Sequence, residues 1–129
     1  MRLLLDTHIW LWALGNPERL SKRVRRELDS SGNEIWVSAV SSWEALMLHS
    51  KRRIHLASDL DDWFRRATSR TREAPLTHEI VFHAHNLALP HKDPADRFLA
   101  ATAKVLDLVL VTQDPELLGL GDIQTLANR

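Results

Sequence analysis

The sequence predicts an α/β protein: a mainly parallel sheet with helices on both faces. Three observations carry this. Short apolar runs, partly β-branched, alternate with helical patterns along the chain, as strand–helix–strand units do. The runs are only about four residues long, a strand's length and not a helix's. Several end in an acid, Ser or Thr just before a helix begins, as at Leu5-Asp6 and Val111-Thr112-Gln113-Asp114. In parallel α/β folds, such strand-to-helix turns are where ligands gather.

Arg2–Leu5 is the first strand, stopped by Asp6. Thr7–Leu14 reads as a short helix, closed by Gly15-Asn16-Pro17. From Ser21 to Gly32 a helix turns Val24 and Leu28 inward and Lys22, Arg23, Arg25 and Arg26 outward. Ile35-Trp36-Val37 is a β-rich run ending at Ser38-Ala39. Ser41 opens the next helix, with Trp43, Leu46 and Met47 on one side. Another helix starts near Ser58 and carries Leu60, Trp63, Phe64 and Ala67. Ala74–Leu76 is read as a short strand, and Thr77 as the start of a helix with Ile80, Ala84 and Leu87. Pro94 to about Asp107 is a helix rich in small residues. Leu108–Val111 is the cleanest strand, and Ile123–Leu126 is a last short one.

At 129 residues the chain is expected to form one domain, residues 1–129, able to bury a core without staples. Its 44% hydrophobic content is that of a globular protein. No apolar run approaches the ~20 residues of a membrane span. The opening MRLLLDTHIWLW is a poor signal peptide, because Asp6 interrupts the apolar stretch and no small-residue cleavage site follows. Cysteine is absent, which excludes disulfides and thiolate chemistry and points to a cytoplasmic location. Lys plus Arg and Asp plus Glu are equal at 17 each, so nucleic-acid binding must rest on local patches.

The strand ends are rich in acids. Asp6 directly follows the first strand, and Glu44 comes a few residues after the strand around Trp36. Asp114 follows Leu110-Val111-Thr112, and Asp93 and Asp96 stand at the entrance to the Ala-rich helix. Each has a capping explanation. Asp is a strong N-cap, and acids favour the positive end of the helix dipole. Ser41-Ser42-Trp43-Glu44 fits a capping box, and Asp93-Pro94-Ala95-Asp96 fits cap, Pro at N1 and acid at N3. Yet Ser21, Ser41, Ser58 and Thr77 serve as uncharged caps in the same reading, while these strand ends carry full charges. In a parallel sheet the acids would converge, and converging carboxylates oppose one another's ionisation. A divalent cation relieves that repulsion, and a hard-oxygen donor set completed by water suits Mg²⁺ or Mn²⁺. Metals held by carboxylates suit phosphoryl chemistry. Lys51-Arg52-Arg53, Arg65-Arg66 and Arg97 are candidate phosphate contacts, or else solvated helix faces.

The segments LLLDTHIWLW, VSAVSSWEALM, HKDPADRFLAATA and LVLVTQD, in this order and spacing, resemble the PIN-domain ribonucleases, in particular the VapC-type toxins of toxin–antitoxin modules. The resemblance covers essentially the whole chain. It implies an α/β/α sandwich and a metal-dependent endoribonuclease that cuts RNA with metal-activated water. By position, it implies catalytic and metal-binding roles for Asp6, Glu44, Asp96 and Asp114, with Asp93 as an additional metal contact or a helix cap. Thr7 and Thr112 would orient carboxylates or water. The RNA contacts are read from the charged strips themselves and not from the resemblance: Arg97, Lys51 and Arg52 are the candidates. A homodimer is also implied, together with a small antitoxin folding part of itself over the acidic groove. One departure stands out: relatives often carry a lysine in the helix after the Glu44 position and a glycine before the next turn, where this chain reads HSKRRIHL.

Other signals are weaker. His78, His83 and His85 share one helix without the i, i+4 pair of a helical metal site. His8 and His91 lie near the acids and could touch phosphate. Trp10, Trp43 and Trp63 sit at inward-looking positions, and Trp12 could stack on RNA. A phosphoacceptor domain would want paired acids after the first strand and an Asp after a central strand; Asp6-Thr7-His8 and Val37-Ser38-Ala39 offer neither. A D-x-D phosphatase fails at His8. The alternatives are a catalytically silent PIN-like binding module, its acids serving only as caps, and a Mg-dependent phosphoacceptor domain.

Overall fold

The structure, a computed structural model, describes residues 1–89 and 93–129. Five strands form one sheet: β1 (Arg2–Leu5), β2 (Glu34–Ser38), β3 (Arg72–Ala74), β4 (Val109–Thr112) and β5 (Gln124–Ala127). Their order is β3-β2-β1-β4-β5, and every neighbouring pair is parallel. Leu4 lies opposite both Trp36 and Leu110. Seven α-helices occur among the described residues: α1 (Thr7–Gly15), α2 (Lys22–Asp29), α3 (Ala39–Ser50), α4 (Leu60–Thr68), α5 (His78–Asn86), α6 (Pro94–Leu106) and α7 (Pro115–Leu118). A 3₁₀ turn, Pro17–Arg19, joins α1 to α2.

The pleat sends alternate strand residues to opposite faces. Leu4 and Leu110 enter one core with Ile80 and Ala84 of α5 and Leu99 and Ala100 of α6. Leu3, Leu5 and Val111 enter the other with Ile9, Trp10, Val24 and Ala67 of α1, α2 and α4. The result is the predicted three-layer α/β/α sandwich. Strands covered on both faces read as continuous apolar runs, which is why RLLL and VLVT show no alternation. Ala100, Ala101 and Ala103 are at most 2% exposed. Their small side chains let α6 lie close to the sheet and bring its first turn to the carboxyl edge.

Several boundaries differ from the sequence reading. α3 begins at Ala39 with Ser38 as its cap, not at Ser41. α4 is capped by Asp59, not Ser58; its carboxylate accepts the Asp62 N–H at 3.1 Å. α2 ends at Asp29 rather than Gly32, where Asn33 takes the Glu27 carbonyl and carboxylate. β3 is Arg72–Ala74, earlier than Ala74–Leu76; it is an edge strand with exposed Arg72 and Glu73 and no apolar run to announce it. β4 and β5 each begin one residue later than expected. Trp43 was expected inside but is 65% exposed. Ser41 and Ala45, four residues apart, take the buried face of α3 and leave Trp43 pointing away from it.

Candidate active site

The chain moves outward from β1 to β2 and β3, then returns to the other side of β1 for β4 and β5. The switch point therefore lies between β1 and β4, where an α/β sheet opens a crevice at its carboxyl edge. Asp6 leaves β1 there and Asp114 follows β4. The Asp6 N–H donates to the Val111 carbonyl at 3.0 Å. The fully buried Thr112 hydroxyl donates to Asp6 Oδ2 at 2.7 Å and accepts the Asp114 N–H at 3.1 Å.

A cavity of about 400 Å³ opens over this junction. Asp6, Glu44, Asp93, Asp96 and Asp114 all line it, with His8 and Trp12 on one wall. The structure thus brings the five sequence-predicted acids to one place. Their local duties differ. Asp93 caps α6, accepting the Ala95 N–H at 3.0 Å, and Asp114 caps α7, accepting the Glu116 N–H at 2.9 Å. Asp6 occupies the N-cap position of α1 but makes no capping bond with its side chain. Asp96 sits in the first turn of α6, one turn after the Asp93 cap.

The capping-box reading of Glu44 is overturned. Ser38 caps α3 by accepting the Val40 N–H at 3.0 Å. Ser41, inside the helix, accepts a hydrogen bond from the Thr7 hydroxyl at 2.8 Å. Glu44 lies a turn further on, beyond the orphan N–H groups that a cap could serve. The strand running straight into α3 without a turn residue is the signal that points to Ser38. Thr7 is expected to orient a carboxylate or a water; its buried hydroxyl donates to Ser41 and so ties α1 to α3.

Burial pushes the Asp6 carboxyl above the ordinary carboxylate range. The Thr112 hydroxyl, the electrostatic influence of the neighbouring His8 and the Thr7 N–H pull it back in part, and the Asp114 charge adds to the rise. A carboxylate with a real cost of ionisation and other acids around the same cavity is a donor set that a hard divalent cation satisfies. Among the described residues, no three His, Cys, Asp or Glu side chains are grouped closely enough to hold a metal ion. The acids ring an open cavity instead, which suits an ion that keeps part of its water shell.

The basic candidates separate. Arg97 is structural: its guanidinium donates to the carbonyls of Ala84 (3.1 Å), Leu89 (3.0 Å), His85 (3.3 Å) and Leu87 (2.9 Å). Those bonds fasten the end of α5 to α6 and occupy most of the donors of the Arg97 guanidinium. Lys51 lines an apolar groove beside Glu44 and Asp93, with Trp43, Met47 and Phe98. Arg52 sits in the turn that lacks a glycine and adopts φ 58° itself. Its N–H reaches the His49 carbonyl and that of Arg53 reaches Leu48, both at 3.0 Å, closing α3 in a Schellman turn. Arg66 pairs with Asp62 on an exposed face of α4. His91 lies outside the described residues. Trp10 is buried as expected, Trp63 partly so, and Trp12 stacks with Arg19 at 4.4 Å, a pair the sequence reading did not single out.

Comparison with known proteins agrees with this geometry. Residues 3–122 match the PIN domain family. The chain is 33% identical over 118 residues to Ribonuclease VapC22 of Mycobacterium tuberculosis, covering 89% of this chain and 88% of that one. In fold it is similar to VapBC2 from Rickettsia felis bound to a promoter DNA fragment, with TM-score 0.74, 18% identity and 98% of both chains covered. It is likewise similar to DNA-bound VapBC from Salmonella typhimurium, with TM-score 0.74, 18% identity, and 100% of this chain and 99% of that one covered. With its acids gathered at the switch point of a parallel sheet, the chain belongs to the PIN-domain family, in its VapC branch.

Proposed function

We propose that this protein is a metal-dependent endoribonuclease, the toxin of a toxin–antitoxin pair, and that the whole chain is one PIN domain. The observation that carries the chemistry is the single cavity where Asp6, Glu44, Asp93, Asp96 and Asp114 meet, with Asp6 held buried by Thr112. Asp6, Asp96, Asp114 and Glu44 are the residues that would hold Mg²⁺ or Mn²⁺, with Asp93 divided between that role and capping. Such an ion, when bound, supplies a Lewis acid that activates water and stabilises charge on the phosphodiester. The chain's own part is to fix the carboxylates. Thr112 orients Asp6, and the caps of α6 and α7 hold Asp93 and Asp114. The N-terminus of α6 adds backbone dipole toward a phosphate.

A cognate antitoxin is the protein partner this reading assigns, since the proteins similar in fold include VapBC assemblies. The exposed Trp43, Val81 and Phe82 provide apolar surface for a second copy of the chain in a homodimer. No described helix is long and apolar enough to cross a membrane. A cysteine-free chain acting on RNA fits the cytoplasm.

A fluorescent RNA cleavage assay with Mg²⁺ or Mn²⁺ tests the assignment. Wild type is expected to cut, while Asp6→Ala, Asp96→Ala and chelator-treated protein are not. Equal cleavage by wild type and both variants would remove the activity from these residues. Cleavage persisting in excess chelator would remove the metal.

A further inference from the structure

We infer that the RNA strand leaves the acid cavity over Trp12 and Arg19 and continues to a basic hollow around Arg52 and Arg53. These side chains would hold the nucleotides that flank the bond to be cut. The inference rests on the ribonuclease reading and adds a path to it.

The acid cavity shares His8 and Trp12 with a second cavity of about 600 Å³. That cavity shares Ile54 and His55 with a third, of about 640 Å³. Through these shared residues the three cavities adjoin one another in series, from Asp6 to the C-terminal turn of α3.

Acids dominate the first cavity, but among the described residues no carboxylate lines the other two. Arg19 and His55 line the second; His49, Arg52 and Arg53 line the third. Glu18 stays outside that lining, its carboxylate accepting a hydrogen bond from Asn16 at 3.3 Å. A polyanion with its scissile phosphate among the acids would therefore meet neutral or cationic described residues along these two linings. Net charge is zero over the chain, so this local separation is what gives the strand a direction.

Trp12 is half-buried, with the Arg19 guanidinium 4.4 Å from its ring centroid and the His8 ring at 6.0 Å. An anchored indole with a stacked guanidinium suits base stacking and backbone contact together. Both His8 and Trp12 stand on α1, the helix that Asp6 begins, so the platform is fixed rigidly to the acid site. Trp12 lies six residues beyond Asp6, about 9 Å along the helix axis, the scale of a neighbouring nucleotide. The groove on the far side of Glu44 has another character: Trp43, Met47, Leu76 and Phe98 with Lys51 as its cation. Its apolar walls suit a protein face better than a phosphate backbone.

The test is binding of a fluorescein-labelled single-stranded RNA of about ten nucleotides, followed by anisotropy in chelator so that the strand stays intact. Arg19→Gln is expected to weaken binding roughly 5- to 30-fold. Trp12→Leu should do the same; because Trp12 also packs on the core, the exposed Arg19 keeps the test independent of folding. Substituting one abasic nucleotide at a time should find a position that weakens the wild type and leaves the Trp12 variant indifferent. Replacing Arg52 and Arg53 with Gln together should flatten the slope of log affinity against log salt by about 1.4, at ~0.7 per phosphate contact. Affinity, abasic profile and salt slope all equal to wild type would overturn the track. A surface reserved for a protein partner would give that result. If the wild type neither binds nor cuts RNA, the ribonuclease reading fails first, and the track falls with it.

Discussion

The Thr112 hydroxyl donates to Asp6 Oδ2 at 2.7 Å and accepts the Asp114 N–H at 3.1 Å, joining the acids of two adjacent strands through one buried side chain. Thr112→Val keeps the shape and removes the join. Asp6 then loses a hydrogen bond that favours its ionised form, so its pKa rises further. Loss of such an orienting partner lowers metal affinity by roughly 10- to 100-fold. Titration calorimetry with Mn²⁺ on folded protein would measure this. Unchanged affinity would mean that Thr112 does not position Asp6 for the metal.

Asp6 also links stability to pH. Its folded pKa is raised above the ordinary 3.8, chiefly by burial. Protonation of Asp6 therefore favours the folded state: that contribution is complete below the unfolded pKa and disappears as pH rises through the folded one. In metal-free protein at neutral pH, Asp6→Asn is expected to raise the melting temperature by a few degrees. The gain should shrink as pH falls toward 3.8, while Mn²⁺ stabilises the wild type and not the variant. Thermal melts across pH, with and without Mn²⁺, check both halves. An Asn variant less stable than wild type at pH 7 would contradict the sign.

Glu44 separates capping from chemistry. Because Ser38 caps α3 and Glu44 does not, Glu44→Gln should change stability by less than about 0.5 kcal/mol. RNA cleavage should fall on the order of 100-fold, the scale for removing one electrostatic group from a reacting centre. Ser38→Ala should show the opposite pattern in a denaturant melt, costing about 1 kcal/mol as a lost cap.

Arg97 holds structure, not substrate. Arg97→Gln leaves carbonyls at the end of α5 without their donors. A cost of about 2–3 kcal/mol is expected, read as a clear drop in melting temperature. The salt slope of RNA binding should stay as in wild type. A shallower slope would restore Arg97 as a phosphate contact.

Arg52 adopts φ 58°, where a side chain is strained and glycine is not. Arg52→Gly should therefore stabilise the fold by roughly 0.5–1 kcal/mol, partly offset by the added freedom of the unfolded chain. It should also weaken RNA binding. Opposite movement of urea stability and RNA affinity in this one variant would indicate that arginine is kept there for a contact.

Much of the fold was legible because strands buried on both faces write themselves as apolar runs. Leu3-Leu4-Leu5 and Leu110-Val111 could be read directly. β3 could not, since Arg72 and Glu73 lie on an edge that water reaches. Capping was legible where residue type and position agreed, as at Ser21, Thr77 and Asp93. It misled at Ser41, where two patterns competed and the helix began earlier.

The sequence by itself determined the α/β alternation, the acids at strand ends and the small-residue face that seats α6. Those are local properties: periodicity, residue type and side-chain volume. Only the tertiary structure decided that β1 and β4 are neighbours, because strand order depends on packing between residues about a hundred positions apart. That adjacency puts Thr112 between Asp6 and Asp114. Folding also turned Arg97 onto four carbonyls and left Arg52 on a cationic wall. A charge in a sequence names a capacity; the donors and acceptors that fold around it decide whether that capacity is consumed within the protein or left for a ligand.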